Sequence, residues 1–221
     1  MSFIYATDDP PENHIARLLL TNRPAPHKPS YGMDSPLGLV ASNFLAPLYL
    51  YTSLKGKFNA WDKLLAKVPP EIFMYPSLDI GCGRGLVLMK IAERKKDVAF
   101  SMTRTPDPVY GIDLFIRGDQ SGNAPEATYD NAASLNLTDY LTLHTANFIY
   151  LPFKDETMSL ATASLSIHNA DKASRKIALI EAARVLKPDG YLIILDLAGY
   201  IGQYKSVLKS MGWSIGLYIH G

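Results

Sequence analysis

Apolar positions along this chain keep two rhythms, and the places where the rhythm changes mark out its elements. From residue 1 to about 35 neither rhythm holds, because Pro10, Pro11, Pro24, Pro26 and Pro29 interrupt it. Proline fixes φ and lacks an N–H, so this stretch is expected to be irregular around one helical turn near 15–20. Residues 37–51 are strongly apolar but carry Asn43 and Pro47. A membrane-spanning helix needs about 20 predominantly apolar residues. The segment is therefore expected to be a packed or lid helix, with peripheral contact at a membrane surface and then a true span as the alternatives. Trp61, Leu64, Leu65 and Val68 fall at helical spacing and predict a helix over 58–68, which Pro69-Pro70 ends.

Beyond residue 70 strand and helix patterns alternate. Strands are expected at 75–80, 109–112, 141–145, 160–167, 191–197 and 213–219. Helices are expected at 85–94, 125–135, 171–186 and 203–211, the third with Ile177, Ile180 and Ala183 on one face. Such alternation implies parallel pairing in a doubly wound sheet. The run Tyr191-Leu192-Ile193-Ile194-Leu195 implies a strand covered on both faces. The division this suggests is a lid-like N-terminal segment, 1–70, and an α/β domain, 71–221.

Composition acts mainly by exclusion. With 48% hydrophobic and 19% charged residues among 221, the chain has a globular balance. A formal net charge of +1 removes the electrostatic case for nucleic acid. The single cysteine, Cys82, rules out an internal disulfide and a cysteine-built metal site, in keeping with a cytoplasmic setting. No basic-then-apolar leader pattern opens the sequence.

Candidate chemistry concentrates in Leu78-Asp79-Ile80-Gly81-Cys82-Gly83-Arg84-Gly85-Leu86, between an expected strand and an expected helix. Glycines there let backbone approach a ligand, and the helix start offers unpaired N–H groups. A dinucleotide loop, G-x-G-x-x-G, would need its third glycine at position 86, where leucine stands, so a nicotinamide-dependent oxidoreductase is disfavoured. Asp79, just ahead of the loop, would repel a pyrophosphate and welcome an ammonium group. A nucleoside joined to a cationic amino acid fits both features, and S-adenosylmethionine is such a molecule.

These residues resemble the first motif of class I S-adenosylmethionine-dependent methyltransferases, acid-x-G-x-G-x-G. The likeness continues in order through Gly111-Ile112-Asp113, Asn147, Leu151-Pro152-Phe153 and Arg184-Val185-Leu186-Lys187-Pro188-Asp189-Gly190. It implies a Rossmann-like α/β fold with a mostly parallel sheet and S-adenosylmethionine as cofactor. It also implies roles. Gly81, Cys82, Gly83 and Gly85 line the cofactor by backbone, and Asp79 meets its ammonium end. Asp113 accepts from both ribose hydroxyls, Leu114 packs on adenine, and Asn147 accepts from the adenine amino group beside Phe148. Asp119 to Glu126 resembles a small bacterial and fungal subgroup of unassigned substrate; as bare sequence it reads as a helix start, with Asn123 as cap and Glu126 three residues on. The chain departs from the pattern in an inserted loop around 99–108. It departs again at its end, where the last antiparallel strand is absent, supplied by another segment or lost.

Methyl transfer from a sulfonium needs positioning of the acceptor, and a base only where the acceptor loses a proton. His168, at the expected carboxyl end of the fourth strand, is the candidate base. The expected acceptor is a small molecule, apolar or lipid-like. One cysteine excludes three-thiol chemistry, and no Asn/Asp-Pro-Pro-Tyr run follows the fourth strand. The alternative function is a catalytically silent cofactor-binding partner protein.

Overall fold

The computed structural model describes residues 3–32, 56–102, 104–116 and 121–216. The apolar segment 37–51 lies outside them. Five strands, β1 Ser77–Ile80, β2 Val109–Asp113, β3 Leu141–Thr145, β4 Met158–Ser164 and β5 Leu186–Leu195, form one parallel sheet in the order β3-β2-β1-β4-β5. The helices are α1 His14–Leu19, α2 Lys57–Leu65, α3 Leu86–Ser101, α4 Pro125–Ser134, α5 Lys172–Val185 and α6 Ala198–Ser210. One apolar core joins Ile15, Trp61, Leu65, Leu88, Ile91 and Ala132 to one face of the sheet; the other joins Leu78, Ile80, Ile112, Phe153, Leu179 and Tyr204 to the opposite face. Helices on both faces make the sheet doubly wound, as expected from the alternation.

Chain direction reverses its winding between β1 and β4. In open α/β sheets ligands bind outside the carboxyl ends of strands at such a switch point. The loops after β1, β2 and β4 therefore define the edge to inspect.

Several local expectations need correction. α3 runs to Ser101, so the supposed inserted loop begins only after the helix. In α5 the buried residues are Ala178, Leu179, Ala182 and Val185, while Ile177 and Ile180 are exposed. Small side chains let that face of the helix lie close to the sheet. β5 is packed on both faces, Ile193 and Leu195 against one core and Leu192 and Ile194 against the other, but these side chains are half-buried rather than buried. No strand forms over 213–216, and 217–221 are not described. Ala124, not Asn123, is the N-cap of α4 and makes no side-chain cap bond. Asp171 instead caps α5, its carboxylate accepting from the N–H groups of Ala173 and Ser174.

One buried charge shapes the approach to β1. Lys95, fully buried on α3, donates from Nζ to the carbonyls of Phe73 at 3.0 Å and Tyr75 at 2.6 Å. Burial pulls its ammonium down to about 7, with Asp107 opposing weakly. The unfolded chain holds this proton up to the ordinary lysine range near ~10.4. Between those values the unfolded state binds more protons, so stability rises with pH. Unfolding midpoints are expected to climb from about pH 7 toward the lysine range, by at most about 1.4 kcal/mol per pH unit. Lys95→Met should flatten that climb. Parallel profiles for the two proteins would show that the ammonium is not held in this way.

Candidate functional site

Gly81, Gly83 and Gly85 all have positive φ, at +67°, +50° and +83°. Side-chain-bearing residues seldom adopt this region, which explains the residue type without any appeal to a ligand. The loop is tied to the next strand. Gly83 N–H donates to Asp113 Oδ2 at 2.9 Å, and Cys82 N–H donates to the Ile112 carbonyl at 2.9 Å. Gly85 then caps α3, whose first N–H groups open toward the same edge.

Asp113 ends β2 with its carboxylate heavily used. Besides Gly83 it accepts from Phe115 N–H at 2.6 Å and Asn123 Nδ2 at 3.2 Å, both on Oδ1. A carboxylate has about four lone-pair sites, and donors among the described residues take three of them. Phe115, a non-glycine at φ +53°, turns the chain sharply there, and the neighbouring Leu114 is exposed.

Asp79 lies beneath the loop and is almost wholly buried. Thr162 Oγ1 donates to its carboxylate at 2.8 Å. Burial pushes its pKa up to about 7, and Asp113 adds to the rise, against hydrogen bonds from Thr162 and the Leu88 backbone. Its own burial, aided by Asp113 and Asp79, pushes the Cys82 thiol well up, so it is held as a neutral, unreactive thiol.

Asn147 stands in the loop after β3, where its Oδ1 accepts from Ile149 N–H at 3.1 Å. Among the described residues that bond uses one of the two Oδ1 lone pairs. Phe148 packs partly buried on the core beneath α5 and α6. The glycine loop and Asp113 are thus tied through Gly83, Asp79 is bonded to Thr162 beneath them, and Asn147 and Phe148 belong to the loop after β3.

Across the switch point, β4 ends at Ser164 and turns through Leu165, at φ +50°, into a short helical turn, Ile167–Asn169. This turn touches the glycine loop directly. Ser166 Oγ donates to the Ile80 carbonyl at 2.8 Å, and a Cβ on Gly81 would lie 2.4 Å from Ser166 Cβ. From the turn, His168 Nδ1 meets Asp196 Oδ1 at 2.6 Å, and the His168 N–H donates to Oδ2 at 3.2 Å. Tyr204 Oη donates to Oδ2 at 3.0 Å, and Leu197 N–H donates to Oδ1 at 2.8 Å.

Burial alone would raise the Asp196 carboxyl; the bonds from His168, Leu197 and Tyr204 outweigh it and hold the group below the usual carboxylate range. The Asp196 side chain is 1% exposed and that of His168 21%, so the carboxylate is sealed and the imidazole is reachable. An ionised Asp196 calls for the proton on Nδ1, which leaves the lone pair on Nε2. Sequence reasoning missed Asp196. Its only signal was an acid at the end of the apolar fifth strand, next to the fourth in the sheet.

The α2 helix closes one side of this edge. Trp61 Nε1 donates to Ser164 Oγ at 2.9 Å and Asp62 pairs with Lys90 of α3; from α6, Tyr200 lies tilted beside His168 with ring centroids 5.8 Å apart. No helix among the described residues is long and apolar enough to cross a membrane.

Residues 78–194 match the family model described as a methyltransferase domain. A ubiquinone/menaquinone biosynthesis C-methyltransferase from Rhizobium rhizogenes strain K84 is 30% identical over 145 residues, covering 65% of this chain and 50% of that protein. The chain therefore spans about half the length of this curated relative. Among solved structures, a geranyl diphosphate methyltransferase in complex with S-adenosylmethionine superposes with a TM-score of 0.53 at 16% identity, over 83% of this chain and 77% of that one. The (4+2)-cyclase SpnF superposes with a TM-score of 0.54 at 17% identity, over 90% and 68%. At these identities the structural likeness speaks for the fold alone, and a cyclase in the same group shows why chemistry must be argued from the site.

Proposed function

This chain belongs to the methyltransferase domain family, and on that premise we propose that it transfers a methyl group from S-adenosylmethionine to a small, apolar acceptor that loses a proton in the reaction. The observation that carries the proposal is the direct contact between the Gly81 loop and the turn bearing His168, itself bound to a sealed Asp196. The loop read as holding the donor and the residue read as the base are then neighbours at one edge of the sheet.

The residues fit the cofactor. The glycine loop gives close backbone approach, Asp113 offers its carboxylate to a ribose hydroxyl, and Asn147 offers its amide oxygen to the adenine amino group. Asp79 supplies an acid near the methionine end. When bound, S-adenosylmethionine offers a sulfonium methyl that an electron-rich acceptor displaces in line, the bonding pair returning to sulfur. Positioning and exclusion of water by the loop, α2 and the His168 turn serve that geometry. A carbon acceptor, which the name of the Rhizobium relative brings to mind, must shed a proton after gaining the methyl. His168 Nε2 takes it, and Asp196 stabilises the resulting imidazolium.

Calorimetry with S-adenosylmethionine and its demethylated product tests the donor half. Transfer of a labelled methyl group into fractionated extract tests turnover and reveals the acceptor. Donor binding without any transfer would favour a silent cofactor-binding protein; no binding at millimolar donor would end the proposal.

Asp79 gives that calorimetry a pH signature. To meet an ammonium group it must be ionised, and burial holds its pKa near 7 in the free protein. Donor affinity is therefore expected to fall as pH drops from about 7 to 5.5, approaching tenfold per unit. Asp79→Asn should bind more weakly at pH 7 and lose the slope. A flat wild-type profile would reduce Asp79 to a brace for Thr162.

A further inference from the structure

Three polar side chains outside the glycine motif spend their hydrogen bonds on it. Asn123, Thr128 and Asn131 come from one segment, the lead into α4 and its first two turns, and are 2%, 0% and 2% exposed. Asn123 Nδ2 donates to Asp113 Oδ1 at 3.2 Å and to the Ile116 carbonyl at 3.4 Å. Thr128 Oγ1 lies 2.7 Å from the Gly83 carbonyl, much closer than the 3.4 Å to Ala124 in its own helix. Asn131 Nδ2 donates to the Arg84 carbonyl at 2.8 Å. The same amide donates to Ser30 O at 3.0 Å and accepts from Ser30 N–H at 2.7 Å, so it also fastens the N-terminal segment to the loop.

Helix propensity does not explain these residues, since threonine and asparagine are mediocre helix formers. Packing does not explain them either, because a buried polar group without a partner costs about 1–3 kcal/mol and an apolar one would fill the space. Each is instead paired with an atom of the donor site. The loop presses on the helix besides: a Cβ at Gly85 would stand 2.8 Å from Thr128 Cγ2.

We propose that Asn123, Thr128 and Asn131 are positioning residues for the methyl donor, holding the Asp113 carboxylate and the peptide planes of Gly83 and Arg84 in the binding conformation before the donor arrives. The physical effect is preorganisation. Three left-handed glycines make a loop with much freedom to lose on binding. Carbonyls held on α4 have already lost it, and an amide on Oδ1 fixes the rotation of the Asp113 carboxylate. The inference rests on the donor-binding reading above.

Calorimetric titration of the full chain with S-adenosylmethionine tests it. Thr128→Val, which keeps the shape and removes the hydroxyl, is expected to weaken binding about tenfold, while Thr128→Ser stays within about threefold. Asn123→Ala should weaken binding about fivefold in the wild-type background and have no further effect once Asp113→Ala is present, since it acts through that carboxylate. A merely structural role would lower unfolding temperatures while leaving donor affinity and this non-additivity unmoved, and that result overturns the inference. If Thr128→Val fails to fold, Thr128→Ser and the Asn123 cycle decide alone. Absence of binding by the wild type removes the underlying reading; wild-type binding with unaffected variants removes only this inference.

Discussion

His168→Ala is expected to lower methyl transfer by about 10²- to 10⁴-fold, the range for losing a positioned general base, while donor affinity stays within about twofold. The split follows from the geometry. His168 reaches the glycine loop only through Ser166 and makes no bond to Asp79, Asp113 or the loop glycines, so donor binding should not register its loss. The fold should survive as well, because Asp196 retains the N–H groups of residues 168 and 197 and the Tyr204 hydroxyl. Labelled-methyl transfer and donor calorimetry on the same preparation separate the two effects. Added imidazole should restore part of the rate, since it can occupy the vacated space with a lone pair. Turnover within about threefold of wild type would show that the acceptor loses its proton elsewhere, or loses none.

Asp196→Asn should mimic much of this loss, since an amide no longer fixes the imidazole tautomer.

Gly81→Ala carries the other large effect, on the donor side. At φ +67° a residue with a Cβ pays about 1–2 kcal/mol for the left-handed region, and the new atom would lie 2.4 Å from Ser166 Cβ. That neighbour cannot swing away, because its Cβ is bonded directly to backbone and its hydroxyl is engaged with Ile80. Overpacking of this kind adds about 1–3 kcal/mol. Together these are a large part of the ~5–15 kcal/mol that holds a domain folded. The expected outcome is a marked fall in unfolding temperature and donor binding weakened by more than about 100-fold. Two comparisons isolate the cause. Gly81→Ala with Ser166→Gly relieves the collision but not the φ strain, so it should recover part of both losses. Gly202→Ala, in α6 with nothing within 4 Å of the added atom, should be neutral or slightly stabilising. Normal stability and donor binding for Gly81→Ala would show that the loop and the His168 turn are not in contact.

Much of the fold could be read without coordinates. The alternation of strands and helices, the glycines of the first loop and the acid ending the second strand are properties of short stretches, and short stretches report on backbone conformation. Where the reading failed, the deciding quantity was distant in sequence. The exposed Ile177 and Ile180 resemble core residues until one knows which helix face meets the sheet. β5 reads as buried on both faces; both do meet a core, but how deeply they are buried depends on the helices that lie over them. Asn123 has the spacing of a helix cap, but Asp113 and Ile116 take its side chain instead.

The amino-acid order by itself determined a parallel α/β architecture and a loop shaped for close approach of a nucleoside-bearing ligand, because proline, glycine and hydrophobic period act locally on φ, ψ and burial. Only the tertiary structure decided which loops become one site. The strand order β3-β2-β1-β4-β5 sets the glycine loop against the His168 turn and brings Asp196, 28 residues further on, under the imidazole. It also lays α4 along the loop, so that Thr128 reaches Gly83 across 45 residues. Hydrogen bonds of that separation form only once the sheet has assembled, and no local pattern encodes them.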